Sequence, residues 1–184
     1  SFQSLQANFP GSKYLSDVEY YLGVAYYKKE DWGQAVRHLE IYLKEAPLGK
    51  SFAGEAHYIL GLSYLNQKQF DQALQTFQQV LKHFPDQIES VQGSQLNIAL
   101  CYYNLGQAPE ALRRLNEVVE KYPATDVAQD ALLKIADHYL ESGQWPLAVS
   151  HYQQFLEKFP GSDRTAVVHY EMGEAYEALE QPQE

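Results

Sequence analysis

The stretch Tyr58–Leu81, YILGLSYLNQKQFDQALQTFQQVL, decides the fold. In its second half, DQALQTFQQVL (71–81), the apolar residues Ala73, Leu74, Phe77, Val80 and Leu81 fall at i, i+1, i+4, i+7 and i+8. That spacing places them on one face of a helix with a 3.6-residue period. Its first half, YILGLSYL (58–65), is a second helix candidate, and only the short, mostly polar stretch NQKQF (66–70) separates the two. The stretch therefore predicts two helices joined by a tight turn.

The same pattern recurs on both sides. YILGLSYL aligns with YYLGVAYY (20–27), LNIALCYY (96–103), LKIADHYL (133–140) and YEMGEAYE (170–177). DQALQTFQQVL aligns with GQAVRHLEIYL (33–43), PEALRRLNEVV (109–119) and PLAVSHYQQFL (146–156). Each second helix is followed by a proline, at positions 10, 47, 85, 123 and 160, which are 37, 38, 38 and 37 residues apart. Such a period is the mark of a repeat architecture. Gly106 and Gly143 suit the position just past a helix C-terminus, where a left-handed backbone is needed. Pro109 and Pro146 suit the first turn of the next helix, where the missing N–H is not required.

With those residues in place, the chain resembles the tetratricopeptide repeat family. Leu22-Gly23-x-x-Tyr26, Ala35, Leu39, Tyr42 and Pro47 match its spacing. So do Leu60-Gly61-x-x-Tyr64, Ala73, Phe77, Val80 and Pro85. Further copies run through Ile98-Ala99-x-x-Tyr102 with Ala111, Leu115, Val118 and Pro123, and through Ile135-Ala136-x-x-Tyr139 with Ala148, Tyr152, Phe155 and Pro160. Met172-Gly173-x-x-Tyr176 opens a fifth copy. The family's usual aromatic at the head of the motif is replaced by Glu19, His57, Gln95, Leu132 or His169. The resemblance implies an all-α fold, a right-handed α-solenoid of antiparallel helix pairs. A single array over 1–184 would hold a second helix at 1–10, repeats at 11–47, 48–85, 86–123 and 124–160, and a first helix at 161–184. On this reading the chain opens at Ser1 within a half-repeat, as a piece of a longer protein would.

The family's usual repeat has 34 residues, and the surplus here is close to one helical turn. It lies after the proline. Ser12, Thr125 and Ser162 stand two residues past it, where a hydroxyl can cap a helix and start it early. In the first unit Ser16-x-x-Glu19 offers a rival start, a capping box. Long units with FPGS (9–12 and 159–162) are similar to bacterial envelope proteins: the periplasmic coordinator of the Tol-Pal system, the small lipoprotein of the outer-membrane β-barrel assembly machine, and pilus or secretin assembly lipoproteins. That likeness implies a periplasmic or envelope setting, while the residues themselves are equally compatible with the cytoplasm.

Composition narrows the partners. The formal net charge is −10, which argues against nucleic acid or an anionic membrane surface, since both need a basic footprint. One cysteine, Cys101, excludes an internal disulfide and any cysteine-based zinc site. It falls between core positions and reads as a small buried hydrophobe. No run approaches the roughly 20 apolar residues of a membrane span. The six histidines (38, 57, 83, 138, 151 and 169) form no metal-ligand spacing; His38 and His151 share one repeat position, and His57 and His169 another. There is no phosphate loop or nucleophile motif, and Glu174, Glu177 and Glu180 read as a solvated face. No catalytic residue, metal or cofactor is expected, and the chain does not read as an enzyme.

In a stack of this family the concave groove is lined by first-helix residues off the packing stripe. Here these are Tyr20, Val24 and Tyr27; Tyr58, Leu62 and Leu65; Leu96, Leu100 and Tyr103; Leu133, Asp137 and Leu140; then Tyr170, Glu174 and Glu177. Members that clamp a partner's C-terminal carboxylate carry Lys and Asn at matching positions. Tyr20 and Tyr58 stand where that Lys would be, which argues against this mode despite Asn97. The stripe from Tyr20 to Leu140 is mostly apolar, which fits a groove for a peptide or helix of another protein. The rival reading is that the first helices crowd together and pack on one another, or that the stripe covers a helix outside this sequence. The functional expectation is a non-catalytic scaffold binding a partly apolar protein segment. Self-association through terminal half-repeats and service as the regulatory region of a larger protein are the alternatives.

Overall fold

A computed structural model describes residues 15–45 and 52–180. Among them the helices are α1 (Leu15–Lys28), α2 (Trp32–Glu45), α3 (Ala53–Asn66), α4 (Phe70–His83), α5 (Ile88–Asn104), α6 (Ala108–Lys121), α7 (Asp126–Glu141), α8 (Trp145–Lys158) and α9 (Thr165–Glu180). No strand occurs among the described residues. Residues 1–106 and 107–184 form two compact units. The division falls inside 86–123, the span expected to be one repeat. The half-repeat expected at 1–10, together with Ser12, lies outside the described residues.

In the first unit each helix packs on the next, and α3 also meets both α1 and α5. Its core gathers Tyr20, Leu39, Tyr42, Ile59, Leu60, Tyr64, Ala73, Phe77, Ile98 and Cys101. The small residues of the repeat set how close the helices come. A Cβ placed on Gly61 would lie 2.6 Å from Phe77 Cε1, and one on Gly23 would lie 2.6 Å from Leu39 Cγ. Only glycine lets these rings and methyls lie against the first helix. Each large side chain so buried contributes roughly 1.5–3 kcal/mol.

The second unit packs α6 on α7, α7 on α8 and α8 on α9. Leu115, Val118, Leu132, Ile135, Tyr152, Phe155 and Val168 are fully or almost fully buried there. Tyr139 stacks on His151 with centroids 5.2 Å apart, just as Tyr26 stacks on His38 at 5.2 Å in the first unit. The histidines at this shared repeat position are packing partners of the repeat tyrosine.

The turns inside the pairs repeat one geometry. Asp31 N–H donates to Tyr26 O and Glu30 N–H to Tyr27 O; Gln69 and Lys68 do the same to Tyr64 and Leu65, and Gln144 and Gly143 to Tyr139 and Leu140. These are Schellman closures. The residue that turns left is Glu30, Lys68, Gly106 or Gly143, with φ of 60, 60, 75 and 71°. Pro109 and Pro146 sit in the first turns of α6 and α8.

The expected early starts of the first helices need correction. Thr125 does precede α7, but it makes no side-chain cap. Its hydroxyl donates backward to Tyr122 O at 2.8 Å. Helix α9 begins at Thr165, three residues beyond Ser162. Ser162 Oγ accepts from Arg164 N–H at 3.2 Å and donates to Gln129 Oε1 at 2.7 Å, fixing the boundary turn to α7. Ser16 already lies within α1, so the capping box does not mark its start. Three of the first helices are longer: α5, α7 and α9 have 17, 16 and 16 residues, against 14 in α2, α4, α6 and α8, while the first helices α1 and α3 also have 14.

Candidate functional site

On α3, residues Glu55, Tyr58, Ile59 and Leu62 stand at i, i+3, i+4 and i+7, so one helix face presents all four. This face borders a cleft of about 680 Å³ in the first unit. Tyr27 of α1 closes one side. The turn after Pro85 and the start of α5 close the other with Asp86, Gln87, Ile88, Glu89 and Ser90. The volume lies within the range of pockets that take a few buried groups.

Two glycines shape this cleft. A Cβ on Gly93 of α5 would meet the Tyr58 hydroxyl at 2.3 Å, and one on Gly54 of α3 would meet Gln87 Oε1 at 2.2 Å. The tyrosine and the amide therefore lie flat against bare backbone. Ile88 is 65% exposed despite its size. The lining carries three carboxylates, Glu55, Asp86 and Glu89, and no Lys, Arg or His. Behind it, burial holds the Tyr20 hydroxyl well above the ordinary phenol value, and its hydrogen bond to Glu55 adds to the effect.

Of the residues expected to line a groove, Tyr27, Tyr58 and Leu62 meet at this cleft. Val24 and Leu65 do not line it, although all five are partly buried against the first unit's core. Leu100 and Tyr103 are half-buried on α5, and Leu133 and Leu140 are half-buried on α7 of the second unit. Tyr20 and Leu96 are corrections: at 4% and 7% exposure they belong to the interior. Tyr20 stacks on Phe52, with centroids 4.6 Å apart and rings 6° from parallel. Leu96 sits on α5, which packs against both α3 and α4 and keeps little free surface. Asn97 turns its amide to its own helix, donating to Gly93 O at 2.8 Å.

The register reading missed the cleft's far wall, Asp86 to Ser90. The available signal was Ile88, an apolar residue set among polar ones just after Pro85. In the second unit, the buried Tyr152 hydroxyl donates to Asp137 at 3.1 Å. Burial holds the carboxyls of Asp137 and Glu171 above their ordinary values, against the opposing effect of their hydrogen bonds to Tyr152. Cys101 is fully buried. Burial, with a smaller effect from Asp71, pushes its thiol up to about 12, so almost no thiolate forms near neutrality.

The outer membrane lipoprotein family YfiO matches residues 1–134, and a tetratricopeptide repeat matches residues 130–162. The chain belongs to the YfiO outer membrane lipoprotein family. No curated protein is significantly similar to it in sequence. Solved structures show the fold. A tetratricopeptide repeat protein from Parabacteroides merdae is 18% identical with a TM-score of 0.67; the alignment covers 88% of this chain and 60% of that one. This chain thus spans less than two thirds of that protein. The nearly identical repeats of a putative kinesin light chain from Podosopora anserina are 20% identical, with a TM-score of 0.68 and coverage of 89% and 86%. A thermophilic repeat protein from Thermus thermophilus is 16% identical, with a TM-score of 0.64 and coverage of 95% and 87%. The fold of this YfiO-family chain is the all-α helical-repeat solenoid. Among its described residues, no helix is long and apolar enough to cross a membrane.

Proposed function

We propose that this YfiO-family chain is a non-catalytic scaffold of the bacterial envelope that holds a partly apolar segment of another protein in the cleft of its first unit. The observation that carries this reading is the convergence of Tyr27, Tyr58 and Leu62, from successive first helices, on one open cleft with an exposed isoleucine at its edge. Tyrosine and leucine supply contact area at low entropic cost. The envelope setting rests on the family, and the repeat division at 11–47, 48–85, 86–123 and 124–160 belongs to the same proposal.

A photoreactive residue at Leu62, introduced into the full-length protein in its own cell, should give defined protein adducts. The same residue at the exposed Glu117 of α6 should not. Adducts at Glu117 with none at Leu62 would defeat the reading. Self-association is the second reading, favoured by Val167, Tyr170, Tyr176 and Leu179, all exposed on α9. Light scattering over a concentration series separates the two, because a strict monomer removes the second.

A further inference from the structure

We infer that the segment seated in this cleft is cationic as well as apolar, placing one or two aliphatic side chains on Tyr58 and Leu62 and flanking Lys or Arg residues against Glu55, Asp86 and Glu89. The inference rests on the groove reading and specifies its occupant. Charge and shape carry it together. The apolar part of the lining comes from α1, the middle of α3 and Ile88, while the carboxylates stand on the first turn of α3 (Glu55), in the turn after Pro85 (Asp86) and on the first turn of α5 (Glu89). An apolar group seated on α3 thus has an acid within reach on either hand, and no basic side chain of the lining competes for it.

Glu55 already accepts from the Tyr20 hydroxyl, which fixes one carboxylate in place before any partner arrives. Ser90 is 9% exposed and adds a hydroxyl to the same wall. Among the described residues no ion pair reaches Asp86 or Glu89, so their charge is available to a ligand. An acidic segment would meet three like charges, and like-charge juxtaposition rejects a wrong partner strongly. The glycine seats of Tyr58 and Gln87 hold both walls in position, so the charges face a preformed space.

The test uses three fluorescein-labelled 18-residue amphipathic peptides with the same leucine positions. Their polar positions are filled with Lys, Gln or Glu. Fluorescence anisotropy against the full chain should rank them Lys, Gln, Glu. The Lys peptide should bind about tenfold tighter than the Gln peptide at low salt, and most of that gap should close at 0.5 M NaCl, where screening is complete within a few ångströms. The triple variant Glu55→Gln, Asp86→Asn, Glu89→Gln should remove the gap. Glutamine at 55 still accepts from Tyr20. Glu120→Gln, Glu157→Gln, Glu180→Gln makes the same charge change on the second unit and should leave the gap standing, which separates a local site from the chain's overall negative charge. Equal binding of the Lys and Gln peptides, or a gap indifferent to the first triple variant, overturns the inference. If in that case Leu62→Gln still weakens both peptides, the groove reading survives without it. Failure of all three peptides to bind, or binding indifferent to Leu62→Gln, overturns both.

Discussion

At Gly61 a single methyl group decides between two opposed effects. Alanine is the better helix former by about 1 kcal/mol. Its Cβ, however, would lie 2.6 Å from the ring of Phe77, which is fully buried and has nowhere to move. Overpacking of this kind costs about 1–3 kcal/mol. At Gly173, the same repeat position in α9, nothing lies within 4 Å of the added carbon. Gly61→Ala should therefore lower the unfolding free energy, by up to about 2 kcal/mol net, while Gly173→Ala raises it by about 0.5–1 kcal/mol. Urea titrations of the two variants give both signs; stabilisation by Gly61→Ala would mean the helix contact is looser than described. The register showed which positions must be small. It did not show which have a neighbour, because that depends on whether a second helix lies opposite. Tyr20 failed for a related reason. Repeat position placed it on the groove side, but Phe52, from outside the repeat pattern, covers it.

The helix pairs depend on turns that need one residue at positive φ. Gly106 and Gly143 were legible there because glycine itself is the signal. Glu30 and Lys68 occupy the same place with φ of 60° and carry no such signal. Only the spacing of 38 residues from Lys68 to Gly106 reveals the equivalence. A side chain in this conformation costs roughly 1 kcal/mol relative to glycine, offset in part by the greater freedom glycine has when unfolded. Lys68→Gly should raise stability by about 0.5 kcal/mol, and Gly143→Ala should lower it by about 1 kcal/mol. Thermal unfolding followed by circular dichroism checks both, and a destabilised Lys68→Gly would refute the strain. The boundary caps were less legible. A hydroxyl near a helix start can turn forward to an amide or back to a carbonyl. Thr125 turns back, and Ser162 bonds to Arg164 and Gln129 in the boundary turn. Composition cannot choose between those partners, since each satisfies the same hydroxyl.

For the molecule as a whole, periodicity exposed the helices and one wall of the cleft, because both follow the repeat. The 86–90 wall follows a turn, where the repeat constrains the chain least. The response to acid also belongs to the whole molecule, since each unit contributes to it. Burial holds His57 in the first unit and His151 in the second below the ordinary imidazole value. In the unfolded chain both take a proton near pH 6.5. Between that pH and their folded values the unfolded state binds more protons. Stability from these two groups is therefore complete above about pH 7 and declines as the pH drops through about 6.5 and below. Asp137 and Glu171 act in the opposite sense. Burial raises both, so the folded state takes up their protons first, and stability gains as the pH falls through the window just above the carboxylate range. The melting temperature should thus fall between pH 7.5 and 5.5. The double variant His57→Gln, His151→Gln should flatten that slope, and a double variant as steep as the parent would remove these two histidines as its cause.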